Sequence, residues 1–441
     1  MKLYKRETQT TVWTAALTGM TLTTSTGLLY GVAKQTKKRF KSPAAAKAGL
    51  AEAAAAQRAK GFGTLGQMAP PEFETPRNAT LEAEIRKQRA DGAPYLVYAD
   101  WLQSQGCPLG EALVMVQRKK QKPALAIMKR IGIPDESMAT VGWRHGMWEW
   151  LKLDNQIDSM PDEGDFDVLA FVRPLFASPL CAALEELRIG MLRWEFQDQR
   201  DVITEAGKHA WAADLLRLRV GDVADDIDMN HHTIGELGKA ITKAFPNLES
   251  LWLHSGAQDW DGPKTFELGG FELPKLRTLT IETCALSRKR MKQLATATFP
   301  ALESLELWVG SPDGDGNAKL ADIAPVWGGK LFPKLRHLGL CNTALVTDIV
   351  RILPDAPIAK QLESLDLSKG TLNDSDAGEL AESARAFKSL RTLRVDDNWL
   401  TAAGIRALKK AFPSAKLSTK DQQELLDPED YGTDRFVSVS E

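Results

Sequence analysis

From residue 184 onward, leucines return in a fixed frame, Leu-x-x-Leu-x-Leu, in which isoleucine or valine sometimes takes the last place. Copies open at Leu184, Leu215, Leu248, Leu276, Leu302, Leu335, Leu362 and Leu390, at intervals of 31, 33, 28, 26, 33, 27 and 28 residues. Several are announced by one phrase: Phe245-Pro246-Asn247-Leu248, Leu273-Pro274-Lys275-Leu276, Phe299-Pro300-Ala301-Leu302 and Phe332-Pro333-Lys334-Leu335. Alternation inside the frame predicts a short strand. Helical stretches such as Ala377–Ala381, Ala403–Lys410 and Thr233–Phe245 fall between frames. A unit of one strand and one helix cannot bury its leucine face alone, so neighbours must stack into one continuous core. The pattern therefore predicts an α/β fold, a curved β/α solenoid over 181–417.

Four frames carry a further leucine at Leu286, Leu345, Leu372 and Leu400, and two residues before it stand Cys284, Thr343, Gly370 and Asn398. A side chain there can bond backbone where the strand turns away, which makes Cys284 a ladder residue and not a reactive thiol. With frame positions 1, 4 and 6 inward, positions 3, 5 and 7 face the concave surface. That surface reads as basic at its first two strands (Arg188, Arg217, Arg219). It becomes aromatic and acidic in the middle, with Trp252, His254, Glu282, Glu306 and Trp308, and ends with Asp366, Arg394 and Asp396. Tryptophan is enriched at binding hot spots, so Trp252 and Trp308 are the candidate anchors for a partner. The competing reading is that loop 255–275 or 309–331 folds over and buries them.

Upstream, Leu81, Ile85, Leu96, Ala99 and Leu102 are spaced as on helices, broken at Asp91-Gly92 and Gly106-Cys107-Pro108. This predicts two or three short helices within 81–122, with Tyr95, Tyr98 and Trp101 packing them against a neighbour. A cap over 123–180 is expected to contain a helix, Ala124–Ile131, one strand, Trp143–Leu153, and an acidic loop, 154–166. At the start, Lys2, Lys5 and Arg6 precede an uncharged, threonine-rich stretch, Thr8–Ala33, which superficially matches an export signal. It lacks the roughly 20 predominantly apolar residues of a span, and Val12–Leu17 and Met20–Thr23 fit a hairpin turning at Thr18-Gly19. A helix over Ala44–Lys60 follows Ser42-Pro43 and stops near Gly61. Gly61–Gly66 satisfies GxGxxG, but it comes after a helix instead of a strand and leads into a linker, 67–80.

The strand-plus-helix units resemble the longer leucine-rich repeats of the ribonuclease-inhibitor type. Tyr98-Ala99-Asp100-Trp101-Leu102, then Gly106 and Gly110-Glu111, resemble the bacterial repeat-companion domain, a helical module that accompanies such repeats. Residues 1–66 resemble the WGR domain through Trp13 at the end of the first strand, Gly27, the run Gln35–Phe40 and Ala59–Phe62. The name-giving motif is degenerate, since Thr26-Gly27-Leu28 stands in place of Trp-Gly-Arg. The resemblance implies a small α+β domain, a helical module and a horseshoe. It implies no enzymatic activity.

Composition narrows the function. The chain has 441 residues, 26% charged and 43% hydrophobic, and needs no disulfide or metal to fold. Cys107, Cys181, Cys284 and Cys341 are far apart with no CxxC, which suits a reducing compartment and a cytoplasmic location. Net charge is −2, yet 1–69 carries eleven Lys/Arg against Glu7 and Glu52. The dense run Lys34, Lys37, Lys38, Arg39 and Lys41 is the possible nucleic-acid contact, by phosphate attraction. Asp313–Asn317 begins like a calcium loop but has Ala318 and Ala324 where Gly and Glu belong. His231-His232 after Asp225, Asp226 and Asp228 lacks metal-ligand spacing. No nucleophile, phosphate-loop or zinc-protease motif occurs. The expectation is a non-enzymatic bacterial scaffold without cofactor, metal or membrane, binding another protein on the concave face. A nucleic-acid adaptor or the regulatory subunit of a separate enzyme are the alternatives, and 418–441 is read as an acidic tail, with Phe436–Val439 able to pair as a short strand.

Overall fold

A computed structural model describes residues 2–6, 10–28, 33–63, 71–134, 138–154, 167–192, 198–223, 233–256, 266–311, 316–424 and 435–439. The acidic residues Asp225, Asp226 and Asp228 with His231-His232, together with Asp313–Asp315, Gly66 and most of 154–166, lie outside them.

At the N-terminus, β1 (Lys2–Arg6), β2 (Thr10–Thr18), β3 (Thr21–Leu28) and β4 (Lys34–Arg39) form an antiparallel sheet in sequence order, backed by α1 (Pro43–Arg58). The expected hairpin forms, but it turns at Gly19-Met20, one residue later than expected, because Thr18 still pairs with Thr21; Gly19 has φ +59°. Trp13 is in the middle of the second strand, not at the end of the first, because Lys2–Arg6 forms a strand that sets Leu3 opposite it. Leu3, Trp13, Ala15, Leu22, Ala54 and Phe62 make a small separate core. The Ser42 hydroxyl caps α1 by accepting from Ala45 N at 3.1 Å, and the helix ends at Arg58, two residues short of the expected end.

Next come α2 (Ala79–Lys87), α3 (Ala93–Ser104), α4 (Pro108–Gln117) and α5 (Gln121–Ile131). Tyr95 and Tyr98 are fully buried, and Trp101, half-buried, stacks on Tyr98 at 5.7 Å. Leu96 is 38% exposed and takes no part in the apolar face assigned to it from spacing. Arg86 on α2 and Arg89 just beyond its end tie these helices to the first repeat units. Arg86 bonds Asp214 at 2.7 Å, and Arg89 donates to the carbonyls of Ala183, Leu184 and Asp214. Burial lowers the pKa of Arg89, with Glu185 and Asp214 opposing it.

The second sheet has eleven strands in strict sequence order: β5 (Ala139–Arg144), β6 (Met147–Leu153), β7 (Glu186–Ile189), β8 (Arg217–Val220), β9 (Ser250–His254), β10 (Thr278–Glu282), β11 (Ser304–Gly310), β12 (His337–Thr343), β13 (Ser364–Asp366), β14 (Thr392–Arg394) and β15 (Lys416–Ser418). Only β5–β6 is antiparallel. The single strand expected over Trp143–Leu153 is a hairpin instead, because His145 (φ 50°) and Gly146 (φ 90°) form a left-handed two-residue turn. Helices α6 (Val168–Ala177), α7 (Arg200–Ala206), α8 (Gly238–Ala244), α9 (Arg288–Leu294), α10 (Leu320–Trp327), α11 (Val346–Ile352), α12 (Asp374–Glu382) and α13 (Ala402–Ala411) lie between strands in the chain. α8 is shorter than expected, since Glu236 is held in a bridge to Glu267 ahead of it.

Every frame residue at positions 1, 4 and 6 is buried in one cluster, shared with α2–α5 and the β5–β6 hairpin. The Phe-Pro phrase has a packing reason, for Phe299 sits 6.2 Å from both Phe271 and Phe332, making a spine between successive units. Frame position 2 alternates Glu249, Arg277, Glu303, Arg336, Glu363 and Arg391. Arg277 reaches Glu303 at 2.8 Å and Arg336 reaches Glu363 at 3.0 Å across adjacent strands.

Candidate functional site

In-register pairing lines up the outward side chains of the large sheet in rows. One row runs Lys152, Arg188, Arg219, Trp252, Thr280, Glu306, Gly339, Asp366, Arg394 and Ser418. Two residues further along the strands, Glu282 pairs with His254 and Trp308 with Cys341. The period-2 pleat thus brings Trp252, His254, Glu282, Glu306 and Trp308 onto one patch of three neighbouring strands, β9–β11.

Within that patch each tryptophan is held on two sides. The Arg219 guanidinium lies over Trp252 at 4.3 Å, and His254 meets the same ring edge-on at 5.3 Å. Trp308 donates from Nε1 to Glu306 at 2.9 Å, and the Lys369 ammonium lies 5.3 Å from its ring centroid. Such cation–ring contacts are worth about 0.5–2 kcal/mol each, depending on desolvation. Both rings are half-buried, and so are Glu282 and Glu306. Gly339 makes room beside Glu306, because a Cβ there would stand 2.9 Å from Glu306 Cγ. Burial pushes the Glu282 carboxyl up to about 7, with the charge of Glu306 adding to it against the Trp252 hydrogen bond, Arg219 and Lys369. Burial likewise raises Glu306, helped by Asp366.

The graded charge expected along this face is largely cancelled. At the first strands, Arg188 bonds Glu186 at 2.6 Å, Arg217 bonds Glu186 at 3.0 Å and also Glu185, and Arg219 lies 3.7 Å from Asp222. Burial opposes ionisation of Glu185 and Glu186, but their arginine partners hold both below the usual carboxylate range. At the far end Arg394 bridges Asp366 (3.2 Å) and Asp396 (2.9 Å), and Asp396 also accepts from Ser418 and Lys420 N, both at 2.7 Å. Asp366, Arg394 and Asp396 are therefore tied to one another, with the Arg394 side chain still 49% exposed. Cys341, outward by its frame position, is 1% exposed. Among the described residues, Glu282 and Glu306 at the aromatic and acidic centre make no ion pair, though Arg219 and Lys369 lie over the neighbouring rings.

Residues of loops 255–275 and 309–331 at 257–265 and 312–315 lie outside the described residues. Val439 packs with Trp308 against Cys284 and Ala285. The ladder reading of Cys284 fits its burial. Asn398 fills the equivalent place with three bonds, to Leu367 O, Asp396 O and Leu372 N. Lys34, Lys37, Lys38 and Arg39 are exposed on β4 and Lys41 just beyond it, with Lys38 5.1 Å from the Phe40 ring. The strand pleat sends Lys34 and Lys38 to one face and Lys37 and Arg39 to the other, so they do not form one basic face.

Sequence reasoning missed Lys369 and Asn342. Each stands at frame position 8, beyond the alternation that identified the outward residues, and each has a left-handed φ, 64° and 46°. The shared position was the available signal. Among the described residues, no group of three His, Cys, Asp or Glu side chains is placed to hold a metal ion, and no helix is long and apolar enough to cross a membrane.

The fold has a counterpart among solved structures. A Bacteroides fragilis protein of known crystal structure matches with a TM-score of 0.54 and 17% identity, over 100% of this chain and 99% of its own. That is a likeness of fold. No family model and no curated protein matches the chain.

Proposed function

We propose that this chain is a bacterial leucine-rich-repeat solenoid, carrying a repeat-companion module and a degenerate WGR-like domain, that binds another protein on the face formed by β9–β11. The observation that supports this best is the patch itself. Two half-buried tryptophans lie beside two carboxylates, all on strands of a rigid sheet, so little ordering entropy opposes binding. Acidic groups beside aromatic rings suit a partner that presents basic side chains. The protein acts as a scaffold and not as an enzyme, in the cytoplasm.

Affinity capture from a nuclease-treated lysate tests the reading, comparing the intact chain with Trp252→Ala/Trp308→Ala. The expected result is a partner retained by the intact chain and lost from the folded double variant. Capture unchanged by the substitutions would overturn it. Capture abolished by nuclease would favour the adaptor reading, with β4 as the contact.

A further inference from the structure

Phe436–Val439 lies across the C-terminal ends of the strands, running backward against the order of the units. Trp399 donates from Nε1 to Phe436 O at 3.1 Å, Ser438 N donates to Lys369 O at 3.0 Å, and Val439 is held at two points by one side chain. Asn342 Oδ1 accepts from Val439 N at 2.9 Å, while Asn342 Nδ2 donates to Val439 O at 2.7 Å. Gln423 adds a bond to the Ser438 hydroxyl at 3.0 Å. In four residues the segment passes from the β14 unit to the β12 unit. The spacing fits, since two strand-to-strand steps of about 4.8 Å match three residue steps of about 3.3 Å.

The repeat geometry builds this trough. Asn342, Lys369 and Asp397 occupy frame position 8 of three successive units, and all three have left-handed backbone, at φ 46°, 64° and 53°. Lys369 thereby offers its carbonyl to Ser438, and Asn342, fully buried, aims both ends of its amide at one residue's main chain. Recognition is mostly of main chain. The side-chain preference comes from alternate positions: Val437 is 6% exposed, Val439 packs on Ala285 beside Trp308, and Phe436, out of step with both, is 51% exposed.

A simple end-cap would cover the last strand, β15. This segment instead reaches back to β12, where both ends of the Asn342 amide are satisfied by the main chain of one residue, Val439. We propose that the trough at the ends of β11–β14 is a docking site for an extended peptide of a partner protein, with aliphatic residues at alternate positions. Phe436–Val439 is its resident occupant and must be displaced. The trough adjoins the β9–β11 patch through Trp308 and Lys369, but its main-chain contacts to Asn342 and Lys369 use no patch side chain, so the test turns on Asn342 and not on Trp308.

The test uses the full chain with Val437→Asp/Val439→Asp, which unseats the segment, and a fluorescent peptide with the sequence of residues 433–441. The peptide is expected to bind this variant at least tenfold more tightly than the intact chain, and Asn342→Ala added to the variant is expected to weaken binding at least tenfold. Equal binding to variant and intact chain, no binding to either, or indifference to Asn342→Ala would overturn the proposal. Should the variant fail to fold, hydrogen exchange on the intact chain decides. Millimolar peptide, but not a peptide with both valines replaced by aspartate, must speed exchange at the Ser438 and Val439 amides, and unchanged exchange would overturn the proposal.

Discussion

Asn398 makes three hydrogen bonds with no access to solvent, and removing its amide strands the Leu367 carbonyl and the Leu372 N–H, while the Asp396 carbonyl keeps the Lys369 N–H. Leaving buried groups unpaired costs about 1–3 kcal/mol, so Asn398→Ala is expected to weaken that turn by about 2 kcal/mol. The loss is best read as faster hydrogen exchange at the Leu372 amide. Glu282 makes a prediction of opposite kind. Its folded pKa is raised from 4.5 to about 7, so the folded state binds the extra proton. Stability from this group is full below pH 4.5 and is lost as pH rises through about 7. Glu282→Gln should flatten that part of the stability–pH curve, measured by denaturation midpoints, and an unchanged slope would contradict the burial account. The turn ladder was legible in the sequence because it repeats at a fixed offset. The Lys369 contact to Trp308 was not, since which unit's position 8 meets which ring depends on register across several strands.

At the scale of elements, the frame leucines were legible because each strand is buried on one face, and a slip of one residue would expose the whole set. The β5–β6 hairpin was not, since apolar residues alternate straight through His145-Gly146 and only the turn chemistry marks the break. The docking of the α2 segment was hidden for another reason. Arg86 and Arg89 look like ordinary solvent-facing residues, yet they are 7% and 9% exposed and bond carbonyls about a hundred residues away. A buried arginine that loses its acceptors leaves those carbonyls unpaired, so Arg89→Ala is expected to loosen 79–131 from the sheet. Limited proteolysis should then cut within α2–α5 well before it cuts β9–β11. The Glu/Arg alternation at frame position 2 is solvent-screened, so these pairs add little to stability and their main effect is on register.

Over the whole molecule, the repeat period fixed where strands would fall but not how charge would cancel across them. Reading outward residues one unit at a time suggested a basic-to-acidic gradient. Pairing between units, from Arg217 to Glu186 and from Arg394 to Asp366, removes most of it and leaves β9–β11 as the distinctive patch. The central claim is that a partner protein meets the molecule there. It is tested most directly by placing a photo-crosslinking amino acid at one of two positions in the full chain. Thr280 lies in the row between Trp252 and Glu306, and Lys289 lies on α9. Irradiation in nuclease-treated lysate is expected to give a discrete protein adduct from position 280 and none from 289. An adduct from 289 alone would contradict the assignment of this face.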